Sequence, residues 1–386
     1  METRAIASFN FVVADRSGDI GFLYNASIPR RAEGYSGQGC APGDRSALLW
    51  RGVLPLSANP QVINPTSGWV YSANATPFFV SREDDNPTPQ QYPINIGNDG
   101  RKTNRARRLA ELLADDKAPF SRDYLAAITF DEAYSTSSEM ATFIRDTLNA
   151  IDGDTRFSEV KTLLSSWDLR ASADSRASLL AHELFQAYHA AKWWNTEAPE
   201  IKGHLIETIA SMKERYGRID PALGDVVRLR RGQVDLPLSG GDDTLRMIRS
   251  VDTGDGYRRA NFGDGLTLLV EWTQEGEQIV KSFHQYGAAL GRPASDHYSD
   301  QSAPFARKEW KRNPTPENDG QAMTSTPPLP KATFARIIDT LSAAGSVSNN
   351  GCPPDHPLDL LNQCVPPFSS GDGGALPRYY DGLRTQ

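Results

Sequence analysis

The chain has 386 residues, 39% hydrophobic and 23% charged, an ordinary globular balance that can bury a sizeable core. Its 48 acidic and 41 basic residues leave a net charge of -7, which speaks against a basic nucleic-acid footprint. No apolar run reaches the ~18 residues of a membrane helix, and collagen, coiled-coil and wholly disordered compositions are excluded as well.

The opening, Met1 to Ser8, has no signal-peptide core. The first predicted elements form a hairpin. Residues 9–14 and 20–24 are apolar and β-prone, and 15–19 between them carry turn chemistry. Residues 25–104 are rich in Pro, Gly and Asn, with a short predicted strand at 68–72. A long irregular stretch in a globular chain commonly carries a site. Asn74 closes that strand. A neutral amide there can donate a fixed hydrogen bond to a developing oxyanion, which a carboxylate would repel. The plainer reading of such an Asn is turn chemistry.

Helical periodicity begins at Asn104, with Leu109, Leu112 and Leu113 at helical spacing. Further helices are predicted over 121–132, 137–152, 158–164, 173–195 and 198–214, so 104–215 reads as a helical segment. Arg105 opens its first helix, where a cation opposes the helix dipole. It is then wanted for a substrate carboxylate or an ion pair, or it is a solvated Arg beside Arg107 and Arg108. Strand patterns return at 225–229, 266–272 and 278–283, the last two as a hairpin. Strands, helices and strands in that order predict α+β with antiparallel sheets. After about 313 the chain turns loop-like, with a short helix at 331–344 and a Gly/Pro/Ser-rich tail.

Cys40, Cys352 and Cys364 are too few for a disulfide scaffold, and no CxxC spacing suggests zinc. Cys352 and Cys364 are either a local disulfide or two free thiols. His182 and His189 lie seven apart on one predicted helix, neither HExxH nor a compact metal pair, and read as packing or surface residues. No GxSxG, P-loop or post-strand GxGxxG is present. No metal or cofactor is expected.

An ordered set of segments carries a resemblance. It starts with Asn10-Phe11-Val12-Val13-Ala14-Asp15-Arg16-Ser17-Gly18-Asp19-Ile20-Gly21 and Ile28-Pro29-Arg30. Trp50-Arg51-Gly52-Val53-Leu54-Pro55, Asn64-Pro65, Gly68-Trp69 and Asn74 follow, then Arg105-Ala106-Arg107-Arg108-Leu109. Trp167-Asp168, Ala173-Asp174-Ser175-Arg176, Gly224-Asp225-Val226, the stretch from Leu236 to Gly241 and that from Ser295 to Gln301 complete it. Together they resemble the penicillin acylase family of N-terminal-nucleophile hydrolases, in particular the acyl-homoserine lactone and aculeacin-type acylases. The resemblance runs over roughly residues 9–310.

That resemblance implies a hydrolase of carbon–nitrogen bonds in linear amides, with antibiotic or acyl-homoserine lactone type acyl amides as substrates. In the family the first residue of the β chain, normally Ser, attacks, and its α-amine is the base. By motif position Asn74 matches the oxyanion Asn, and Arg105 matches an Arg that orders the site. The implied fold is part of an αββα sandwich with antiparallel sheets plus the helical segment. The N-terminal nucleophile part is expected to be missing, because Met1-Glu2-Thr3 cannot supply it. Residues 1–330 then read as an incomplete acylase β-chain region and 331–386 as a loop-rich tail. Expected partners are a small acyl amide and the missing α chain with the front of the β chain, with no nucleic acid and no membrane. The family implies a periplasmic or secreted protein. The alternative is an inactive remnant that only binds. Gly265 and Tyr286-Gly287-Ala288-Ala289 depart from the family pattern. Asp85 matches one calcium ligand of some members, and no independent calcium site is expected.

Overall fold

The computed structural model describes residues 8–35, 40–92, 100–114 and 120–314. The chain divides into two units, 1–320 and 321–386. The second unit, with the predicted helix at 331–344, Cys352 and Cys364, lies outside the described residues.

The predicted hairpin is present. Strands β1 (Phe9–Ala14) and β2 (Ile20–Asn25) pair antiparallel, and β2 pairs on its other side with β3 (Gln61–Ile63). Asp15 closes the turn by accepting from the Ser17 N–H at 2.9 Å, an Asx turn. Phe22, Val62 and Val80 form a small core beneath this sheet. The predicted strand at 68–72 does not form: the stretch joins no ladder, and Gly68 has φ of 76°. Trp69 and Tyr71 are buried and stacked, with ring centroids 5.8 Å apart, and Tyr71 N donates to Val80 O at 2.8 Å.

The helical segment follows as α1 (Asn104–Leu113), α2 (Arg122–Ile128), α3 (Glu139–Ala150), α4 (Ser158–Ser165), α5 (Ser178–Trp194), α6 (Ile201–Tyr216) and the short α7 (Leu223–Val226). Ser side chains cap α2 and α3, accepting from Tyr124 N and Ala141 N. Helix α5 begins later than its apolar pattern suggests. Ala173 and Ser175 instead give their carbonyls to Gly224 N and Leu223 N, which fastens the segment to α7. The main core lies here, with Phe143, Ile151, Phe157, Leu180, Leu184, Leu205 and Met212 joined by Phe283 and Phe305 from the sheet side.

Strands β4 (Val227–Arg231), β5 (Val234–Pro237), β6 (Ile248–Asp252) and β7 (Arg258–Gly263) form a sheet in the order β5-β4-β7-β6. The strand predicted at 225–229 starts at Val227, because Asp225 and Val226 end α7. Its β4–β7 pairing is parallel, so this sheet is mixed where the sequence predicts antiparallel pairing. A third sheet contains β8 (Leu266–Trp272) and β9 (Gln278–His284). Helix α8 (Ser302–Ala306) follows, and β10 (Lys311–Asn313) completes the order β10-β9-β8. The architecture is α+β. On β8 the side chains of Leu266, Leu268 and Val270 are exposed on one face.

Candidate active site around Asn74 and Arg105

Residues 69–75 are held on α1 by a small core of their own. Trp69, Tyr71 and Ala73 pack with Ala106 and Leu113 of α1 and with Ile128 of α2. Thr103 fastens the two ends of this arrangement. Its hydroxyl accepts from Ala106 N at 3.2 Å as the helix N-cap and donates to Ala73 O at 2.7 Å. Asn74, next in sequence, is exposed and has φ of 54°. Asn tolerates this left-handed backbone better than most residues. The residue lies in a bend at the surface and not in a strand.

Arg105 joins that amide to a distant acid. Its Nη2 donates to Asn74 Oδ1 at 3.1 Å, and its Nε donates to Asp243 Oδ1 at 3.0 Å. Asp243 also accepts from Asn104 N through Oδ2 at 2.6 Å and from Asn104 Nδ2 through its carbonyl at 2.8 Å. Its carboxylate thus lies at the N-terminus of α1, where the helix dipole favours an anion. That anion answers the question posed by a cation at the start of a helix: Arg105 is there for an ion pair. Asn104 is itself buried and locked, its Oδ1 accepting from Ser135 N at 2.8 Å.

The chemical consequence follows from donor and acceptor inventories. A guanidinium only donates, so the Asn74 oxygen must face Arg105. The Nδ2 end then faces away, and no described residue accepts from it. A fixed amide N–H pointing outward beside two guanidinium groups is suited to a developing oxyanion. The second guanidinium is that of Arg101. It donates to Asn74 O at 3.4 Å and stacks over Trp193 with its carbon 4.9 Å from the ring centroid.

The structure places the two candidate residues, Asn74 and Arg105, in contact with each other. Asn104 and Asp243 are the residues that sequence reading missed. The signal for Asp243 was the pair Gly240-Gly241 followed by two acids, which read as a turn alone. Asp243 has φ of 63°, so the turn exists and also carries the anion.

Asp85 holds a loop. Its carboxylate accepts from Thr66 N, Thr66 Oγ1 and Ser67 N at 2.8 to 3.0 Å. Hydrogen bonds from Ser67 and then Thr66 bring its carboxyl down to about 2. Among the described residues no group of three or more His, Cys, Asp or Glu is placed to hold a metal ion. Cys40 is exposed and free. The stretch from Ser295 to Gln301 serves the neighbouring sheet. Tyr298 gives its carbonyl to Gly287 N and to Arg231 Nε of β4, and Arg231 stacks on the Tyr298 ring at 3.7 Å.

A family model described as penicillin amidase matches residues 1–322. The chain is 32% identical over 203 residues to penicillin acylase 2 proenzyme of Pseudomonas sp. (strain SE83), covering 52% of this chain and 23% of that protein. It is 21% identical over 309 residues to the acyl-homoserine lactone acylase PvdQ of Pseudomonas fluorescens, covering 71% and 39%. Among solved structures it is similar to a thermostable penicillin G acylase from Alcaligenes faecalis. There the TM-score is 0.52 at 14% identity, over 83% of this chain and 66% of the other. That last likeness is one of fold. The chain spans less than half the length of these two curated relatives.

Proposed function

The chain belongs to the penicillin amidase family, and on that premise we propose that it carries the oxyanion-stabilising part of an acylase site. The reaction is hydrolysis of the carbon–nitrogen bond in a linear acyl amide, of the antibiotic or acyl-homoserine lactone type. The supporting observation is the outward Nδ2 of Asn74, set by the Arg105 bond to Oδ1. The nucleophile, an N-terminal Ser with its own α-amine as base, is assigned to the part of the enzyme that this chain does not cover in its relatives. The Ser oxygen adds to the amide carbonyl, and Asn74 donates to the oxyanion so formed. Collapse expels the amine, and water then releases the acid.

The remainder of that enzyme is the proposed partner of this chain. The exposed apolar side chains of Leu266, Leu268 and Val270 on one face of β8 support this, since an apolar patch is commonly covered by a partner. Export to the periplasm or the medium is part of the same proposal. Among the described residues no helix is long and apolar enough to cross a membrane.

The test uses the enzyme purified from its native source, with its mass and N-terminal sequence determined. Its hydrolysis of a series of phenylacetyl and fatty-acyl amides is then measured. Amide turnover that falls on the order of a hundredfold in Asn74→Ala supports the reading. Equal turnover in the variant removes Asn74 from the role, and absence of amide hydrolysis in the intact enzyme rejects the function.

A further inference from the structure

The Asp243 turn is held from its far side by two residues that the site above does not use. Tyr134 is buried, and its hydroxyl donates to the carbonyl of Asp242 at 2.8 Å. His182, on α5, places Nε2 3.0 Å from the same hydroxyl, and the two rings meet edge-on with centroids 5.8 Å apart. A carbonyl only accepts, and a phenol has one proton to give. The Tyr134 oxygen must therefore accept from His182, which fixes that imidazole as the Nε2–H tautomer.

Both side chains bear directly on the turn. A Cβ at Gly241 would lie 2.6 Å from the Tyr134 hydroxyl and 2.8 Å from His182 Cε1, so only glycine fits there. The side chain of Asp242 is engaged elsewhere, on Arg249 at 2.8 Å. Its carbonyl belongs to the peptide that leads into Asp243. With Asp243 held at positive φ, the tilt of that peptide sets where its carboxylate lies.

We infer that Tyr134 and His182 are positioning residues for the Asn74 amide. They act through the Asp242–Asp243 peptide, the Asp243 carboxylate and Arg105. The inference rests on the proposed role of Asn74, and neither side chain is placed on substrate. The path is continuous: His182 to Tyr134, Tyr134 to Asp242, Asp243 to Arg105, and Arg105 to Asn74. Burial keeps the His182 imidazole neutral, with its pKa down at about 4, Asp242 the facing anion and Arg258 the facing cation. At neutral pH the tautomer and not a charge carries the link.

Nitrogen-15 NMR on the full chain tests the first link. The Nε2–H form of His182 is expected, and the Nδ1–H form overturns the inference. The second readout is solvent exchange of the Arg105 Nε–H held on Asp243. Tyr134→Phe and His182→Leu are expected to speed it about tenfold, the scale of one lost hydrogen bond. His182→Gln, whose amide N–H reaches the same oxygen, is expected to restore it. Equal exchange in all three variants at unchanged global stability overturns the inference. In the active enzyme Tyr134→Phe should lower kcat about tenfold and leave KM within about twofold. A damaging Asn74→Ala beside a silent Tyr134→Phe sinks the positioning role. A silent Asn74→Ala with the exchange pattern intact sinks the oxyanion reading and, with it, the catalytic purpose of the network.

Discussion

Arg105 and Asp243 meet at 3.0 Å across 138 residues of sequence, and the same guanidinium reaches on to Asn74. The two bonds use different nitrogens of one planar fork. The angle between Nε and Nη2 is therefore built into the distance between the acid and the amide.

Arg105→Lys should not rescue the site. A single ammonium cannot hold Asp243 and Asn74 at once in that geometry. Turnover of the acylase is expected to fall about tenfold to a hundredfold, less than the loss from removing the donor itself. Comparison of kcat for Arg105→Lys and Asn74→Ala in one preparation checks the order.

Thr103→Val keeps the shape of the side chain and removes the hydroxyl that both caps α1 and holds Ala73. The expected cost is about 1–2 kcal/mol, the loss of a cap with its second bond. Calorimetry should find a melting point roughly 2–6 °C lower. An unchanged melting point would show that the core of Trp69 and Tyr71 holds the loop without it.

Glu183 pairs with Arg258 at 2.8 Å and with Arg215 at 2.9 Å, and the Glu183 and Arg258 side chains are only 12% and 10% exposed. Glu183→Ala leaves the nearly buried Arg258 without its carboxylate, beside an Arg215 that keeps Asp252 at 2.9 Å. Destabilisation of about 3–5 kcal/mol is expected from denaturant titration. Glu183→Gln should cost less, because it still accepts one hydrogen bond.

Two buried groups pull stability in opposite directions between pH 4.5 and 6. Burial pushes the Asp264 carboxyl up to about 6 and the His182 imidazole down to about 4. For Asp264 the native state holds its proton longer than the unfolded chain, so its contribution is present at low pH and is lost as pH rises to about 6. For His182 the unfolded chain binds the proton first, so stability is lost as pH falls from 6.5 toward 4. In His182→Gln the carboxyl's contribution is no longer offset by the imidazole, and that contribution should lower stability by about 1–2 kcal/mol as pH rises through that window. Urea midpoints at several pH values check it; a wild-type curve as steep as the variant's would contradict the balance.

The sequence was most informative where local chemistry decides structure. The hairpin at Asp15 and the helix start at Asn104 are written in turn and cap residues, and both stand within a residue or two of expectation. Strands β6 and β7 were not visible. They carry Arg249, Asp252, Arg258 and Arg259, and the buried Arg258 is neutralised by Glu183 of α5 and also donates to Ser250. Pairing across that distance leaves no periodic trace. The site divides the same way. Asn74 and Arg105 sit in recognisable segments, whereas Asp243 joins them through a fold that brings residue 243 to the start of α1.

That joining has a consequence in time. The N-terminus of α1 meets its anion only when residues 139 apart in sequence have closed a loop, and such closure is slow compared with helix formation. During synthesis α1 emerges with Arg105 unpaired and Asn74 free to rotate, until Asp243 has left the ribosome and docked. A chain stopped short of residue 243 would lack that anion and also Leu245, which packs against the small Trp69 core. It would hold Asn74 and Arg105 but not the acid that fixes the guanidinium between them.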